Sequence, residues 1–529
     1  MPLSGRIVAG TVIVRTRWRF ETISVCVLYA GILLLVTLEV QLGYTYIRYK
    51  NPFRCQEIIL YLIKIYFFMH YQSHDTIAAI ATPPGVGGIA VIRISGPETF
   101  FVADCLFVGS APVKSSPSHT ILYGTIVDPV SRETIDTILL SVFRNPNSYT
   151  GEDVVELSSH GGYLVSQKIL SLLYKSGARP ASPGEFTLRA FLNGKLDLVQ
   201  AEAVADIIHS KTERAHRASV EQLRGKLSEI VNDLRKEILD TCSLLELELD
   251  FSQEGIELTD KTIVVDKLLG VETIIKKLSS SYHEGKIIKE GIRVALVGKP
   301  NAGKSSLLNI LLREDRAIVS EIAGTTRDTI EESILLDGIE FVFNDTAGLR
   351  ASTDMLELEG IRRTSKAIDS SNVIIMLVDG SAPISEPDLV FYNEINSKYK
   401  DNKSILWVIN KSDIKINHLN IENIDHPLWI SCKSHDGISE LKQKLVALSL
   451  PRYDSTASSV TITNVRHRDA LEQASVSVKA AASAIQGGLG GDFAAIDLRA
   501  ALNYLGEIIG ITTPDDILNN IFSNFCIGK

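Results

Sequence analysis

Apolar residues recur along this chain as short runs in one region and at helical spacing in others. Residues 294–297, 339–343, 373–378, 405–409 and 428–430 are brief, largely apolar runs of the kind buried on both faces of a parallel sheet. Leu307, Leu308, Ile310, Leu311 and Leu312 follow the first run at helical steps, so strands and helices alternate there. A mostly parallel sheet is expected. From Ala201 onward the pattern is helical. Leu223, Leu227, Ile230, Leu234, Ile238 and Leu245 recur at steps of three, four or seven and form one apolar face. Helical spacing returns over residues 467–485 and 493–509, on either side of the loop 487–491. The alternating segment therefore reads as an insert between two halves of one helical domain.

The leading residues differ from the rest. A charge-free run lies between Glu21 and Glu39, preceded by Arg6, Arg15, Arg17 and Arg19, and a second apolar patch at 58–69 is broken by Lys64. A membrane helix of this length is short. A presequence fits the arginines, but no small-residue cleavage site follows the run. Residues 1–72 read as a hydrophobic N-terminal extension, and the reading preferred over both is that translation begins at Met69, so that the 68 residues before it are not native. Peptides upstream of Met69 in the mature protein would contradict it.

At 529 residues the chain has room for several domains. A formal charge of −9 excludes a protein that grips nucleic acid mainly through a global basic field. With 45% hydrophobic and 22% charged residues, a largely disordered chain is also excluded. The six cysteines include no C-x-x-C pair, which removes a disulfide scaffold and a zinc ribbon and points to a reducing, cytoplasmic setting. Lys211, Arg214, Arg217, Arg224, Lys226, Arg235 and Lys236 could touch RNA phosphates, although a solvated helix face is the default.

The chemistry begins at Gly298-Lys-Pro-Asn-Ala-Gly303-Lys304-Ser305, set between a strand and a helix. Glycines let backbone N–H groups curl around phosphate oxygens, and the helix N-terminus adds its positive dipole end. Lys304 can reach the outer phosphates and the Ser305 hydroxyl can ligate Mg²⁺. Asp345-Thr-Ala-Gly348 follows a strand, which puts its carboxylate toward the metal. Asn410-Lys-Ser-Asp413 follows another, where a carboxylate can accept from guanine N1–H and the exocyclic amine that adenine lacks. Ser431-Cys432-Lys433 completes the base pocket, and Thr326 is a candidate second Mg²⁺ ligand, engaged when the γ-phosphate is present. These motifs in this order mark a GTP-binding domain.

Gly348 is followed by Leu349 and Arg350, so the glutamine that often orients the attacking water is missing. Arg350 can be read as an internal arginine finger or as a surface contact. A monovalent cation among neutral oxygens is the other source of positive charge, and Asn301 offers a polar group inside the loop.

Residues 298–306, Gly324-Thr-Thr-Arg-Asp328, Asp345-Thr-Ala-Gly-Leu-Arg350 and the terminal Phe525-Cys-Ile-Gly-Lys529 together resemble the MnmE (TrmE) tRNA-modification GTPases. The likeness extends from about His74 to the end, through 81–96, Tyr149-Thr-Gly-Glu-Asp-Val-Val-Glu156, His160-Gly-Gly and 183–203. It implies a multidomain α/β and α+β architecture. The expected division is a tetrahydrofolate-binding-like domain at 73–192, helical parts at 193–289 and 453–529, and a P-loop GTPase domain at 290–452.

The resemblance further implies a K⁺-stimulated GTPase whose G domains pair in a homodimer. Asn301, Ser320, Ile322 and Thr325 would surround K⁺, Ser305 and Thr326 would hold Mg²⁺, and Glu357 would orient the attacking water. The nucleotide would lie against Asn301, Ala302, Gly303, Lys304, Ser305 and Ser306, and against Ser320, Glu321, Ile322, Ala323, Gly324, Thr325 and Thr326. Asp345, Thr346, Ala347 and Gly348 would follow, with Asn410, Lys411, Ser412, Asp413, Ser431, Cys432 and Lys433 around the base. Ser320 and Cys432 stand where relatives often carry threonine and alanine. Arg93, Glu156, Lys195 and Lys529 match positions that hold a formyl- or methylene-tetrahydrofolate. Taken alone, Arg93 would be a strand-end charge and Glu156 a structural acceptor.

Cys526 is a catalytic candidate, since a thiol beside a lysine favours thiolate. An FAD-dependent MnmG/GidA-family partner would join in a heterotetramer and carry the redox step on tRNA. Two rivals are a ribosome-assembly switch GTPase and a membrane-anchored GTPase of the iron-transport kind. The first lacks its usual appended RNA-binding or second G domain, and the second its long transmembrane series, so no stable membrane association is expected.

Overall fold

The computed structural model describes residues 75–250, 260–299, 301–315, 332–343, 367–383, 386–414, 426–449, 460–488, 491–523 and 525–529, with the backbone of five strands in the first fifty. Met1–Thr76 is a unit by itself. Its strands Arg6–Val8, Thr11–Trp18, Glu21–Ala30, Leu33–Leu42 and Thr45–Lys50 form an antiparallel sheet in sequence order. The charge-free run is thus a hairpin pairing Leu28 with Leu35, not a helix. Thr22, Ile23, Val25 and Val27 are β-branched and fit a pleated strand better than a helix. No helix among the described residues is long and apolar enough to cross a membrane.

Within Ile77–Lys529, a seven-stranded sheet runs in the order Arg179–Pro180, Ile77–Ile80, Ile89–Ser95, Val154–His160, Thr134–Phe143, Thr120–Val127, Phe107–Gly109. All pairs are antiparallel except the first. Alternation puts Ile92, Ile94, Val155 and Leu157 into a core with Ile169 and Leu173 of the helix Tyr163–Lys175. The same period of two turns Arg93 and Glu156 to the opposite face, where they are direct cross-strand partners.

Four long helices, Lys226–Asp250, Lys261–Ser280, Val465–Gln486 and Gly491–Ile509, share one core that includes Leu234, Ile238, Leu268, Leu471, Val478 and Leu498. Residues from both sides of the insert therefore pack together. The apolar series read as one helical face is divided between two helices. Leu223 ends the helix Glu213–Leu223, and Gly225 at φ +84° turns the chain before Lys226.

A buried polar joint crosses the core. Glu202, on the helix Leu198–His209, accepts from Arg466 Nε at 3.1 Å and Asn464 Nδ2 at 3.2 Å, and lies 2.8 Å from His467 Nε2. Arg466 also donates to the carbonyls of Glu507 and Ile508. Burial works to raise the Glu202 carboxyl, but His467 and Arg466 hold it down at about 2.

The insert is a six-stranded sheet in the order Glu332–Leu336, Ile339–Phe343, Ile292–Val297, Val373–Asp379, Ser404–Asn410, Leu428–Trp429. It is parallel except for its first strand. Helices Lys304–Asp315 and Ile438–Ser449 pack on one side through Leu307, Leu311, Leu441 and Leu445, and Glu386–Tyr399 on the other through Tyr392 and Ile395. Lys211, read as a solvated charge, instead donates at 2.9 Å to Glu340, whose carboxylate is buried in the insert. The architecture is a multidomain one: an α+β sheet domain, a helical bundle and a parallel α/β domain.

Candidate functional site

The carboxyl ends of parallel strands are where such sheets bind ligands, and the glycine loop lies there. Gly298 ends the strand Ile292–Val297. A Cβ on it would stand 2.3 Å from the Leu377 carbonyl oxygen, so only glycine lets the loop leave the sheet at this point. Gly303 holds φ +99°, and a Cβ there would be 2.1 Å from Asn410 Nδ2. The helix Lys304–Asp315 starts from it, with the Leu307 N–H donating to Gly303 O at 2.8 Å. Lys304 Nζ curls over the loop and donates to the carbonyls of Gly298 at 2.6 Å and Lys299 at 2.7 Å. Burial lowers its pKa, because the charged ammonium is partly withdrawn from water. Asn301 is exposed at φ +67°, while Ala302 is buried and Ser305 and Ser306 are exposed in the first helical turn.

The base segment is braced against this loop. Asn410, 3% exposed, donates from Nδ2 to Ala302 O at 2.9 Å and accepts on Oδ1 from the amides of Lys411 at 2.8 Å and Cys432 at 3.1 Å. One side chain therefore ties the phosphate loop to both base motifs. Ser431, fully buried, donates to Asp413 Oδ1 at 2.7 Å and accepts from the amides of Lys433 and Ser434. Ser412 N donates to Ile430 O at 3.1 Å. Burial raises the pKa of the Cys432 thiol, so it stays protonated beside this pocket. Asp379, which the motif reading missed, pairs with Lys411 Nζ at 2.5 Å. Its place at a strand's carboxyl end, just before Gly380, was the available signal.

Ser320, Glu321, Ile322, Ala323, Gly324, Thr325 and Thr326 lie outside the described residues, as do Asp345, Thr346, Ala347, Gly348, Arg350 and Glu357. The strand Ile339–Phe343 that leads to the second group is described, with Phe343 paired beside Val294 of the strand that runs into the glycine loop.

A second cluster forms on the open face of the seven-stranded sheet. Arg93 Nε donates to Glu156 Oε1 at 2.9 Å and Nη1 donates to Gly528 O at 3.3 Å, across 435 residues of sequence. The guanidinium stands 5.0 Å from the Tyr149 ring centre and 5.5 Å from that of Phe186. The tail is anchored by Phe522 and Phe525, packed with Leu198 and Ala201. A Cβ on Gly528, at φ +97°, would be 2.4 Å from Ile80 O, so the last residues lie tight on the sheet.

Lys529 is brought to this pair. Burial lowers its pKa first, Arg93 adds to the shift, and Glu156 opposes it. Lys195 donates to Pro146 O at 3.1 Å, and Cys526 is exposed. Tyr149 and Phe186 were not singled out from sequence, although both fall inside quoted motifs.

Residues 76–195 match the family model described as GTP-binding protein TrmE N-terminus, and residues 198–526 match that of the MnmE helical domain. A tRNA modification GTPase MnmE of Flavobacterium psychrophilum is 46% identical over 465 residues, covering 86% of this chain and 99% of its own. One from Syntrophus aciditrophicus is 42% identical over 461 residues, covering 86% and 99%. Among solved structures, a point variant of Aquifex aeolicus Era bound to GDP and AlF₄⁻ aligns over 35% of this chain and 65% of its own. It has 24% identity and a TM-score of 0.23, and adds no weight. Similarity of the MnmE relatives over nearly their whole length is decisive: this chain belongs to the MnmE (TrmE) family of tRNA modification GTPases.

Proposed function

We propose that this chain hydrolyses GTP with K⁺ stimulation and acts with an FAD-dependent MnmG/GidA-family partner on C5 of the wobble uridine (position 34) of certain tRNAs. The added group is carboxymethylaminomethyl or aminomethyl, and its one-carbon unit comes from a tetrahydrofolate derivative. The chain works as a homodimer in the cytoplasm. The observation that carries this reading is the meeting of Arg93, Glu156 and the terminal Gly528–Lys529 on one open sheet face, in a chain that also carries the glycine loop. A carboxylate with cations around it suits a heterocycle with an amidine-like edge and a carboxylated tail.

The chain's residues divide the work. Lys304 and the amides of the glycine loop gather the phosphates, and Asp413, held by Ser431, accepts from the guanine edge. Ser305, in the first turn of its helix, has the hydroxyl suited to Mg²⁺, with Thr326 as its companion. Asn301, exposed with a neutral amide oxygen, fits K⁺, which takes several neutral oxygens and is completed by Ser320, Ile322 and Thr325. When bound, the cation supplies the positive charge that other GTPases take from arginine. Glu357 positions water, and Cys526 lines the tail end of the folate face.

Turnover in KCl exceeds that in NaCl for the native chain, and Asn301→Ala brings the ratio to near unity. A steady-state phosphate-release assay in matched salts measures this, and an undiminished ratio in the variant removes Asn301 from the cation site. Glu156→Gln weakens 5-formyl-tetrahydrofolate about tenfold, the loss of one charged hydrogen bond. Isothermal titration measures it, and unchanged affinity would return Glu156 to a purely structural role.

A further inference from the structure

Asp379 ends the strand Val373–Asp379 and, in parallel register, lies directly beside Asn410 at the end of Ser404–Asn410. Its Oδ2 accepts from Lys411 Nζ at 2.5 Å. Its Oδ1 accepts from the Ser381 amide at 2.9 Å and the Ser381 hydroxyl at 2.6 Å. Both oxygens are held, so the carboxylate is a fixed post. Burial works to raise its pKa, but Lys411 and Ser381 outweigh burial and keep it ionised.

Lys411 is pinned at its other end as well. Its backbone holds φ +67°, uncommon for a residue with a Cβ, and its N–H donates to Asn410 Oδ1. The carbonyl of Asn410 accepts from Gly380 N at 2.9 Å, tying the two strand ends together. Neighbouring strands are about 4.8 Å apart. The methylene stem therefore spans the gap between two strand ends, at the carboxyl end of the sheet where the base segment stands.

We propose that Asp379 is a positioning residue for nucleotide affinity: by holding the Lys411 ammonium, it lays that stem out as an apolar wall for the face of the guanine base. Asn410 and Asp413 are fixed by their own hydrogen bonds to Ala302 and Ser431. Lys411, with three rotatable donors on a flexible stem, needs Asp379 to be equally ordered. The proposal rests on reading Asn410–Asp413 as the base segment.

Asp379→Asn preserves the Ser381 contacts and removes the charge. The pair is about a third exposed, so its worth is modest. The expected result is a rise of about three- to fivefold in the KM for GTP and in the GDP dissociation rate, with kcat within about twofold. Asp379→Glu restores part of the loss. In a Lys411→Ala background, Asp379→Asn adds nothing further. An unchanged KM, a fall confined to kcat, or full additivity with Lys411→Ala would each overturn the proposal. Asp413→Asn checks the base reading separately. Xanthine has a carbonyl where guanine has its amine, so this variant shifts preference toward XTP whatever Asp379 does. Failure of that shift would fault the base segment itself.

Discussion

Lys304→Ala lowers GTP turnover by about 100- to 1,000-fold, the cost of removing one preorganised donor from a site where charge develops, ~3–4 kcal/mol. The side chain is partly buried, and its ammonium is already turned onto the loop by the carbonyls of Gly298 and Lys299. A bound phosphate chain offers it stronger, charged acceptors. The loop's shape does not depend on this side chain, because Asn410 fixes Ala302, and the glycines adopt conformations their surroundings require. The variant should keep its native circular dichroism and melting profile. Lys304→Arg should not rescue it, since a planar fork does not replace a compact ammonium at this distance from the backbone. Single-turnover phosphate release measures the loss. A variant that only raised KM would place Lys304 in ground-state binding alone.

Glu202→Ala destabilises the helical bundle by about 3–5 kcal/mol, the typical cost of breaking a buried ion pair from one side. Glu202 joins the helix Leu198–His209 to Arg466 and His467, on the far side of the inserted domain in sequence, and Arg466 in turn holds the end of Gly491–Ile509. Without the carboxylate, a largely buried guanidinium loses its one charged partner and keeps the carbonyls of Glu507 and Ile508 and the neighbouring His467 ring.

The same joint gives the fold an acid limit. The Glu202 carboxyl titrates at about 2 in the fold, against an ordinary value of 4.5. Its contribution, roughly 3 kcal/mol, is therefore present above pH 4.5 and lost as pH falls toward 2. Burial lowers the pKa of His467 as well, so the unfolded chain binds its proton first, and stability begins to decline as pH drops below about 6.5. Guanidinium melts across pH measure both limbs. A Glu202→Ala curve with the native pH dependence would show that another group sets it.

The G domain was legible because its signals are local. A strand, a glycine loop and a helix follow one another within a few residues, and each base motif directly follows its own strand. The helical halves on either side were legible from spacing. What spacing could not show was the break at Gly225, because Leu223 and Leu227 keep helical register across it. The second cluster was not legible from composition or period. Arg93 and Glu156 are 63 residues apart and meet only through strand register, and the tail meets them from the far end of the chain. Resemblance supplied those positions where local reasoning favoured ordinary surface charges. Lys211 departs from its expected solvated role for the same reason, since its partner Glu340 is 129 residues away on another domain. In the leading apolar run, length allowed a short helix among the readings, whereas its β-branched residues pointed to the strands it forms.

The proposed link between GTP turnover and uridine chemistry is best tested in cells, by mass spectrometry of tRNA nucleosides from a strain lacking this chain. The C5-modified wobble uridine should disappear, return with the native chain, and fail to return with Lys304→Ala expressed at equal level. Full restoration by Lys304→Ala, or an unaltered nucleoside profile in the deletion, would contradict it.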